Sequence, residues 1–241
     1  MKTMELFRHQ IWDGTLIVVN RTHPYRSVAG VQLAEIGAGI KMQSRAAGAL
    51  LECIRNVGGQ GKIVPVSGWR SARQQMQIWN DTLCQEGEMF TERYVARPGC
   101  SEHQTGLAID LGQAADVIDF IRPDFPFDGV CGAFRRRATR WGFVQRYRAG
   151  KEEITEIAEE PWHFRYVGTP HAQILEHNDL CLEEYTEFLK RGPVTFSPDE
   201  KITAQIFYVP CMGERTVCTV PDGCVQISGD NCDGFIVTVW R

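Results

Sequence analysis

Apolar side chains at Ala46, Leu50, Cys53, Ile54 and Val57 recur at three- and four-residue steps, which predicts a helix over residues 45–57, stopped by Gly58-Gly59. The β-branched run Ile63, Val64 and Val66 inside residues 62–69 reads instead as a strand ending at Gly68. Ser71 stands at an N-cap position before a second helix through Met76, Trp79 and Leu83, with Gln74 and Gln75 in its first turns. Residues 97–100 read as loop, and the period then switches to two. Leu107, Ile109 and Leu111 share one face of a strand, while Gly106, Ala108 and Asp110 share the other. One face is core; the second is small and carries a single carboxylate. A Pro-rich connector follows over 122–127, then a helix over 131–141. In a second alternating strand, 162–167, Trp162, Phe164 and Tyr166 oppose His163, Arg165 and Val167; a helix over 182–190 closes the unit.

Neither period governs the first forty residues. A strand-like run over 15–19 sits among turn signals at Asn20, His23-Pro24 and Gly37 to Gly39, so irregular wrapping is expected there. Beyond Gly192-Pro193 come short β segments at 202–209, 216–220, 224–228 and 235–240, the last two joined by a hairpin-type connection, Gly229 to Gly234. The expected organisation is a main domain over 1–192 and a small β-rich extension over 193–241. About fifty residues fold only marginally alone, so the extension should pack on the main domain.

Composition narrows the function classes. With 241 residues, 43% hydrophobic, and 26 basic against 30 acidic side chains, the chain can bury a full core, and disorder is excluded as a description of the whole. A formal charge of -4 without a Lys/Arg run argues against nucleic acid as partner. The triplet Arg135-Arg136-Arg137 reads as a solvated helix face. The nine cysteines are odd in number and show no CxxC pair. The apolar run Leu16 to Val19 is too short for a signal peptide, and no stretch reaches the roughly 20 apolar residues of a membrane helix. We therefore expect a cytoplasmic protein without a membrane span, whose thiols are reduced and mostly buried.

Chemistry concentrates at Ser101, His103, Asp110, Glu160 and His163. Two imidazoles and a carboxylate suffice for a catalytic zinc, which keeps three protein ligands and an open fourth position. Glu160 is the candidate to take a proton from water there, and Pro161 holds it in extended backbone, unlike the helical HExxH arrangement. Each residue also has a plain structural alternative. A lone histidine is commonly a hydrogen-bonded core residue, Asp110 could cap a strand end, and Glu160 beside Glu159 could be surface charge.

Three segments carry a resemblance: SGWRS (67–71), GCSEHQTGLAID (99–110) and EPWHFRYVG (160–168). They resemble the SxHxxGxAxD signature and the following Glu-Trp-His segment of VanY-type zinc D,D-carboxypeptidases. The wider wording is similar to the VanXY proteins of glycopeptide resistance, bifunctional D,D-dipeptidase/D,D-carboxypeptidases. The tail QISGDNCDGFIVTVWR points to the VanG-type clusters, so the similarity covers nearly the whole chain. Trp69 stands where SGYRS is more usual and lacks its hydroxyl.

The resemblance implies an α+β zinc metallopeptidase fold, with a central, largely antiparallel sheet, surrounding helices and the small C-terminal β appendage. It implies one Zn2+ on His103, Asp110 and His163, Glu160 as general base and then acid, and Arg70 near the scissile carbonyl. Ser101 and Gln75 fall near the substrate's terminal D-Ala. The implied activity is removal of C-terminal D-Ala from D-Ala-D-Ala dipeptide or UDP-muramyl pentapeptide, giving vancomycin resistance and sparing D-Ser termini. The alternatives are an L,D- or D,D-carboxypeptidase acting on mature peptidoglycan and a catalytically silent peptidoglycan-binding protein. Monomer and homodimer both stay open. Loops 24–42 and 112–131 are expected to set the width of the pocket.

Overall fold

The computed structural model describes residues 1–26, 30–197 and 202–241. The chain opens with β1 (Lys2–Phe7) and a 3-10 turn, Arg8–Trp12; next come β2 (Leu33–Gly37), β3 (Ile40–Gln43) and α1 (Ser44–Asn56). Next are β4 (Ile63–Ser67), α2 (Ala72–Glu86), α3 (Glu88–Tyr94), a 3-10 turn Glu102–Thr105 and β5 (Ala108–Gln113). Then follow α4 (Gly129–Ala138), β6 (Phe143–Gln145), the short α5 (Glu152–Thr155), β7 (His163–Tyr166), α6 (His171–His177) and α7 (Leu182–Lys190). The C-terminal segment supplies β8 (Val194–Phe196), β9 (Ala204–Pro210), β10 (Arg215–Val220), β11 (Cys224–Gly229) and β12 (Gly234–Trp240).

The central sheet runs β4-β5-β7-β6, and every pair in it is antiparallel. As the alternation predicts, Leu107, Ile109 and Leu111 are buried in a core with Leu50 and Ile54 of α1 and Phe134 of α4. Ser71 caps α2 as expected: its hydroxyl accepts from the Gln74 N–H at 3.2 Å, and the Gln74 side chain accepts from the Ser71 N–H at 2.9 Å.

A second four-stranded sheet, β11-β12-β9-β8, is covered on both faces. Ala204, Ile206 and Ile236 join a cluster with Leu175, Leu182, Tyr185 and Leu189 of α6 and α7. Phe235, Val237 and Val239 pack on Leu6, Ile11 and Val220 from the other side. Fully burying side chains of this size contributes about 1.5–3 kcal/mol each, so both faces matter for stability.

The first forty residues are more regular than their pattern suggests. β1 pairs in antiparallel register with β10, Lys2 opposite Val220 and Phe7 opposite Arg215. Residues 15–19, by contrast, form no strand although Leu16, Ile17, Val18 and Val19 are all buried. Other groups meet their backbone: Ser228 Oγ accepts from Leu16 N–H, Arg165 Nη2 donates to the carbonyls of Thr15 and Ile17, and Asn231 Nδ2 donates to that of Val18. Arg135 also departs from expectation. It lies under the connector, donating to the carbonyls of Phe125 and Pro161 at 3.1 and 3.0 Å and stacking over Phe127, while Arg136 and Arg137 are exposed. All nine cysteines are free, and only Cys53, Cys131 and Cys181 are buried. Among the described residues no helix is long and apolar enough to cross a membrane.

His171 joins the two parts of the molecule. Its Nδ1 lies 2.8 Å from the Tyr185 hydroxyl on α7 and its Nε2 lies 3.0 Å from Thr238 Oγ1 on β12. Burial pushes this imidazole down from 6.5 to about 3. Above pH 6.5 it is neutral folded or unfolded; below that, the unfolded chain takes up a proton that the folded one refuses. Stability should therefore fall as pH drops from about 6.5 toward 4, by up to about 1.4 kcal/mol per pH unit from this group. Urea unfolding of His171→Gln against wild type at several pH values checks it: the variant should lose about one proton's worth of slope, and an unchanged slope would count against the assignment.

Candidate active site

The register of the central sheet brings two of the five chemistry-bearing residues together, because Asp110 on β5 sits directly opposite His163 on β7. Their side chains meet on the small-residue face, with His163 Nδ1 2.9 Å from Asp110 Oδ1. His103 arrives from the 3-10 turn before β5. Thr105 Oγ1 tightens that turn by donating to the Glu102 carbonyl at 2.6 Å and accepting from the Leu107 N–H at 3.0 Å. His103 Nδ1 is 2.7 Å from the Gly68 carbonyl, so the other nitrogen, Nε2, faces Asp110 Oδ2 at 3.1 Å.

The absence of a side chain at Gly68 lets this segment lie close against β3. A Cβ there would lie 2.4 Å from the Lys41 carbonyl oxygen and 2.8 Å from Ile40 Cγ2. The segment is fixed further by Trp69 N–H donating to the Lys41 carbonyl at 2.6 Å and Arg70 N–H donating to the His103 carbonyl at 3.2 Å. Gly68→Ala should therefore displace both the carbonyl that holds His103 and the base of Arg70. We expect kcat/KM to fall by about 10²-fold, the scale of a 1 Å misplacement, with helix content unchanged by circular dichroism. Wild-type kinetics from this variant would mean that the segment is not positioning the site.

Glu160 enters from the segment before β7. Its N–H donates to the Tyr147 carbonyl at 3.1 Å and its carbonyl accepts from the His163 N–H at 3.2 Å, in non-helical backbone as Pro161 requires. Its Oε2 is 3.5 Å from His163 Nδ1. On the opposite side Arg70 Nη2 donates to Asp110 Oδ2 at 3.3 Å and Nη1 to Gln75 Oε1 at 3.2 Å. Gln75 is 1% exposed, and its Nε2 donates to the Ala96 carbonyl at 2.7 Å, so it steadies the guanidinium rather than facing solvent. Ser101 is 2% exposed and caps no helix with its hydroxyl, which leaves that group free to line the cleft.

Together these residues wall a single cleft, with Arg70, His103, Asp110, Glu160 and His163 all on its lining. Phe120 and Ile121 of the 112–131 loop line it too. Of the 24–42 segment, Ile40 and Lys41 border a groove running on past Arg70 and Phe120, and residues 27–29 lie outside the described residues.

The donor set suits a metal ion. Ligand atoms of His103, Asp110 and His163 lie within 4.8 Å of one another, all three residues buried. Asp110 Oδ1 is buried and forms no hydrogen bond even across its 2.9 Å approach to His163 Nδ1, a cost that a cation between them would remove. Burial pushes the Glu160 carboxyl up to about 8, against the pull of His163 and Arg70. Burial alone would raise Asp110, but the two imidazoles hold it well below the usual carboxylate range. The two carboxyls are thus pushed in opposite directions, Glu160 toward its neutral form and Asp110 toward its charged form.

Four residues of the surroundings escape a reading of the sequence. Tyr147, buried, sets its ring 4.9 Å from that of His163 at a tilt of 48°, and Trp162 lines the cleft besides filling core. Glu102 and Arg146 form an ion pair beneath the site. Glu102 is adjacent to His103 in the motif and could have been noticed; nothing in the local pattern marks Arg146.

Comparison with known proteins places this geometry. The family model described as VanY, D-alanyl-D-alanine carboxypeptidase, matches residues 39–169. The bifunctional D-Ala-D-Ala dipeptidase and D-Ala-D-Ala carboxypeptidase VanXYC of Enterococcus gallinarum is 37% identical over 180 residues, 73% of this chain and 95% of that protein. The crystal structure of the vancomycin resistance D,D-dipeptidase VanXYg, in complex with a D-Ala-D-Ala phosphinate analog, superposes with a TM-score of 0.96 at 46% identity, covering 100% of this chain and 99% of that one. VanYB in complex with D-alanine-D-alanine covers 72% of this chain and 97% of its own, with a TM-score of 0.61 at 31% identity. The family match spans more than half of the sequence and contains Arg70 and all the buried His, Asp and Glu groups that meet in the cleft, so the chain belongs to the VanY family of D-alanyl-D-alanine carboxypeptidases.

Proposed function

We propose that the protein is a zinc-dependent D,D-peptidase that removes C-terminal D-Ala from D-Ala-D-Ala, as the free dipeptide or at the end of a muramyl pentapeptide, and so withdraws the target of vancomycin. The observation that carries this reading is the meeting of His103 Nε2, Asp110 and His163 Nδ1 at one point, with Glu160 and Arg70 on either side.

His103, Asp110 and His163 would hold the metal. When bound there, zinc supplies Lewis acidity, which brings the pKa of water to about 7 and polarises a carbonyl. Glu160 takes a proton from the attacking water and returns it to the leaving amine nitrogen, a task suited to a carboxyl poised near neutrality. Arg70, anchored by Gln75, offers a fixed guanidinium to the negative charge that develops on the scissile carbonyl oxygen. Ser101, which lines the cleft, would donate its hydroxyl to the terminal carboxylate of the substrate, and Gln75 would act behind it by holding Arg70.

We place the action in the cytoplasm, on precursors not yet exported; nine free thiols support a reducing compartment. The 193–241 segment is taken as an extension of the peptidase domain over 1–192, supported by its shared core with α6 and α7. Release of D-Ala from D-Ala-D-Ala, D-Ala-D-Ser, muramyl pentapeptide and muramyl tetrapeptide tests the assignment. Turnover of substrates ending in D-Ala-D-Ala is expected. Cleavage of tetrapeptide alone would overturn it in favour of an L,D-carboxypeptidase.

A further inference from the structure

Between Ser101 and His103 stands a carboxylate that the reaction does not use. Glu102 is 1% exposed, and its Oε1 accepts from Arg146 Nε at 2.8 Å and from Arg165 Nη1 at 2.7 Å. Both guanidiniums are anchored elsewhere as well. Arg146 donates to both oxygens of Glu183 at 2.6 and 3.0 Å, and Arg165 donates to the carbonyls of Thr15, Ile17 and Tyr166. The orientation of Glu102 is thereby fixed from two sides.

Its second oxygen, Oε2, is buried and has no hydrogen-bond partner; His163 Nε2 is in the same condition. The two unpartnered atoms face each other at 3.7 Å. Native proteins rarely leave such pairs unmade, and a shift of less than 1 Å closes this one to hydrogen-bond distance. Nε2 is also the far nitrogen of the ring, since Nδ1 points at Asp110. A group that merely balanced the two arginines would have no reason to hold its free oxygen against the imidazole.

We propose that Glu102 is a positioning residue for the metal ligand His163: its Oε2 accepts the proton on Nε2, which fixes the tautomer and turns the Nδ1 lone pair toward the metal. Histidine ligands characteristically donate their remaining N–H to a carboxylate or carbonyl, and His103 already has the Gly68 carbonyl for this purpose. Glu102 completes the pair. Both arginines donate to its Oε1, which leaves Oε2 as the oxygen turned to the imidazole.

The inference rests on the zinc reading of the cluster, and chelator-competition titration of zinc separates the two. Wild-type protein that takes up no zinc would overturn both. With zinc binding established, Glu102→Gln puts an amide donor against the Nε2 proton and should weaken zinc binding by about 10–100-fold. Glu183→Gln removes the other carboxylate on Arg146 without touching His163, so it should lower the melting temperature yet leave zinc affinity within about threefold of wild type. Wild-type zinc affinity in folded Glu102→Gln, or an equal loss in Glu183→Gln, would overturn the proposal. The wild type offers a measurement that does not depend on the variants folding. In zinc-loaded protein labelled with 15N-histidine, the His163 Nε2 proton should give a downfield, slowly exchanging NMR signal, and a rapidly exchanging proton would overturn the proposal.

Discussion

Alanine at Glu160 is expected to lower kcat for D-Ala release by at least about 10³-fold while zinc stays bound, because positioned proton transfer typically contributes 10²–10⁴-fold. Glu160 stands beside the ligand cluster rather than within it, its Oε2 3.5 Å from His163 Nδ1. The variant should therefore keep one zinc per chain. Steady-state kinetics alongside metal analysis check this. A zinc-replete Glu160→Ala protein working at the wild-type rate would remove Glu160 from the mechanism.

Loss of Asp110 should be at least as severe, by another route. Asp110 is 6% exposed and lies between both imidazoles and the Arg70 guanidinium, at 2.9 to 3.3 Å from each. Asp110→Ala removes the one anionic ligand and leaves three groups competing for positive charge. Lewis-acid stabilisation is worth several kcal/mol, so kcat/KM should drop by at least about 10³-fold, with zinc lost on gel filtration. Excess zinc should restore little of it. Retained zinc and retained activity together would show that the metal sits elsewhere.

On the proposed mechanism the two effects differ because metal holding and proton handling fall to different residues, and the sequence displays that separation only in part. The period-two runs at 107–111 and 162–167 say which face of each strand carries Asp110 and His163. That the two strands are neighbours in register is a tertiary fact, fixed by the β5–β7 ladder. Resemblance to a known motif supplied what periodicity could not. Gln75 shows the limit of local pattern: it occupies the first turns of a helix where exposure is the default, yet it is buried against Arg70 and the Ala96 carbonyl.

Elements without local signals were missed for the same reason. β1 finds its partner more than two hundred residues away in β10, and nothing in Lys2–Phe7 alone announces it. Residues 15–19 carry a strand's composition but form no strand, because Ser228, Arg165 and Asn231 satisfy their backbone groups and no neighbouring ladder is needed. Arg135 reads as a surface charge within an arginine triplet. Three aromatic rings and the Pro161 carbonyl draw it inward, where it braces the peptide after Glu160.

The most direct test is to strip the metal from the wild-type protein, return zinc in measured steps, and follow D-Ala release from D-Ala-D-Ala. Activity should be absent without metal, rise in proportion to zinc added, and level off at one zinc per chain. Full activity in the metal-free protein, or no D-Ala released at one zinc per chain, would contradict the account.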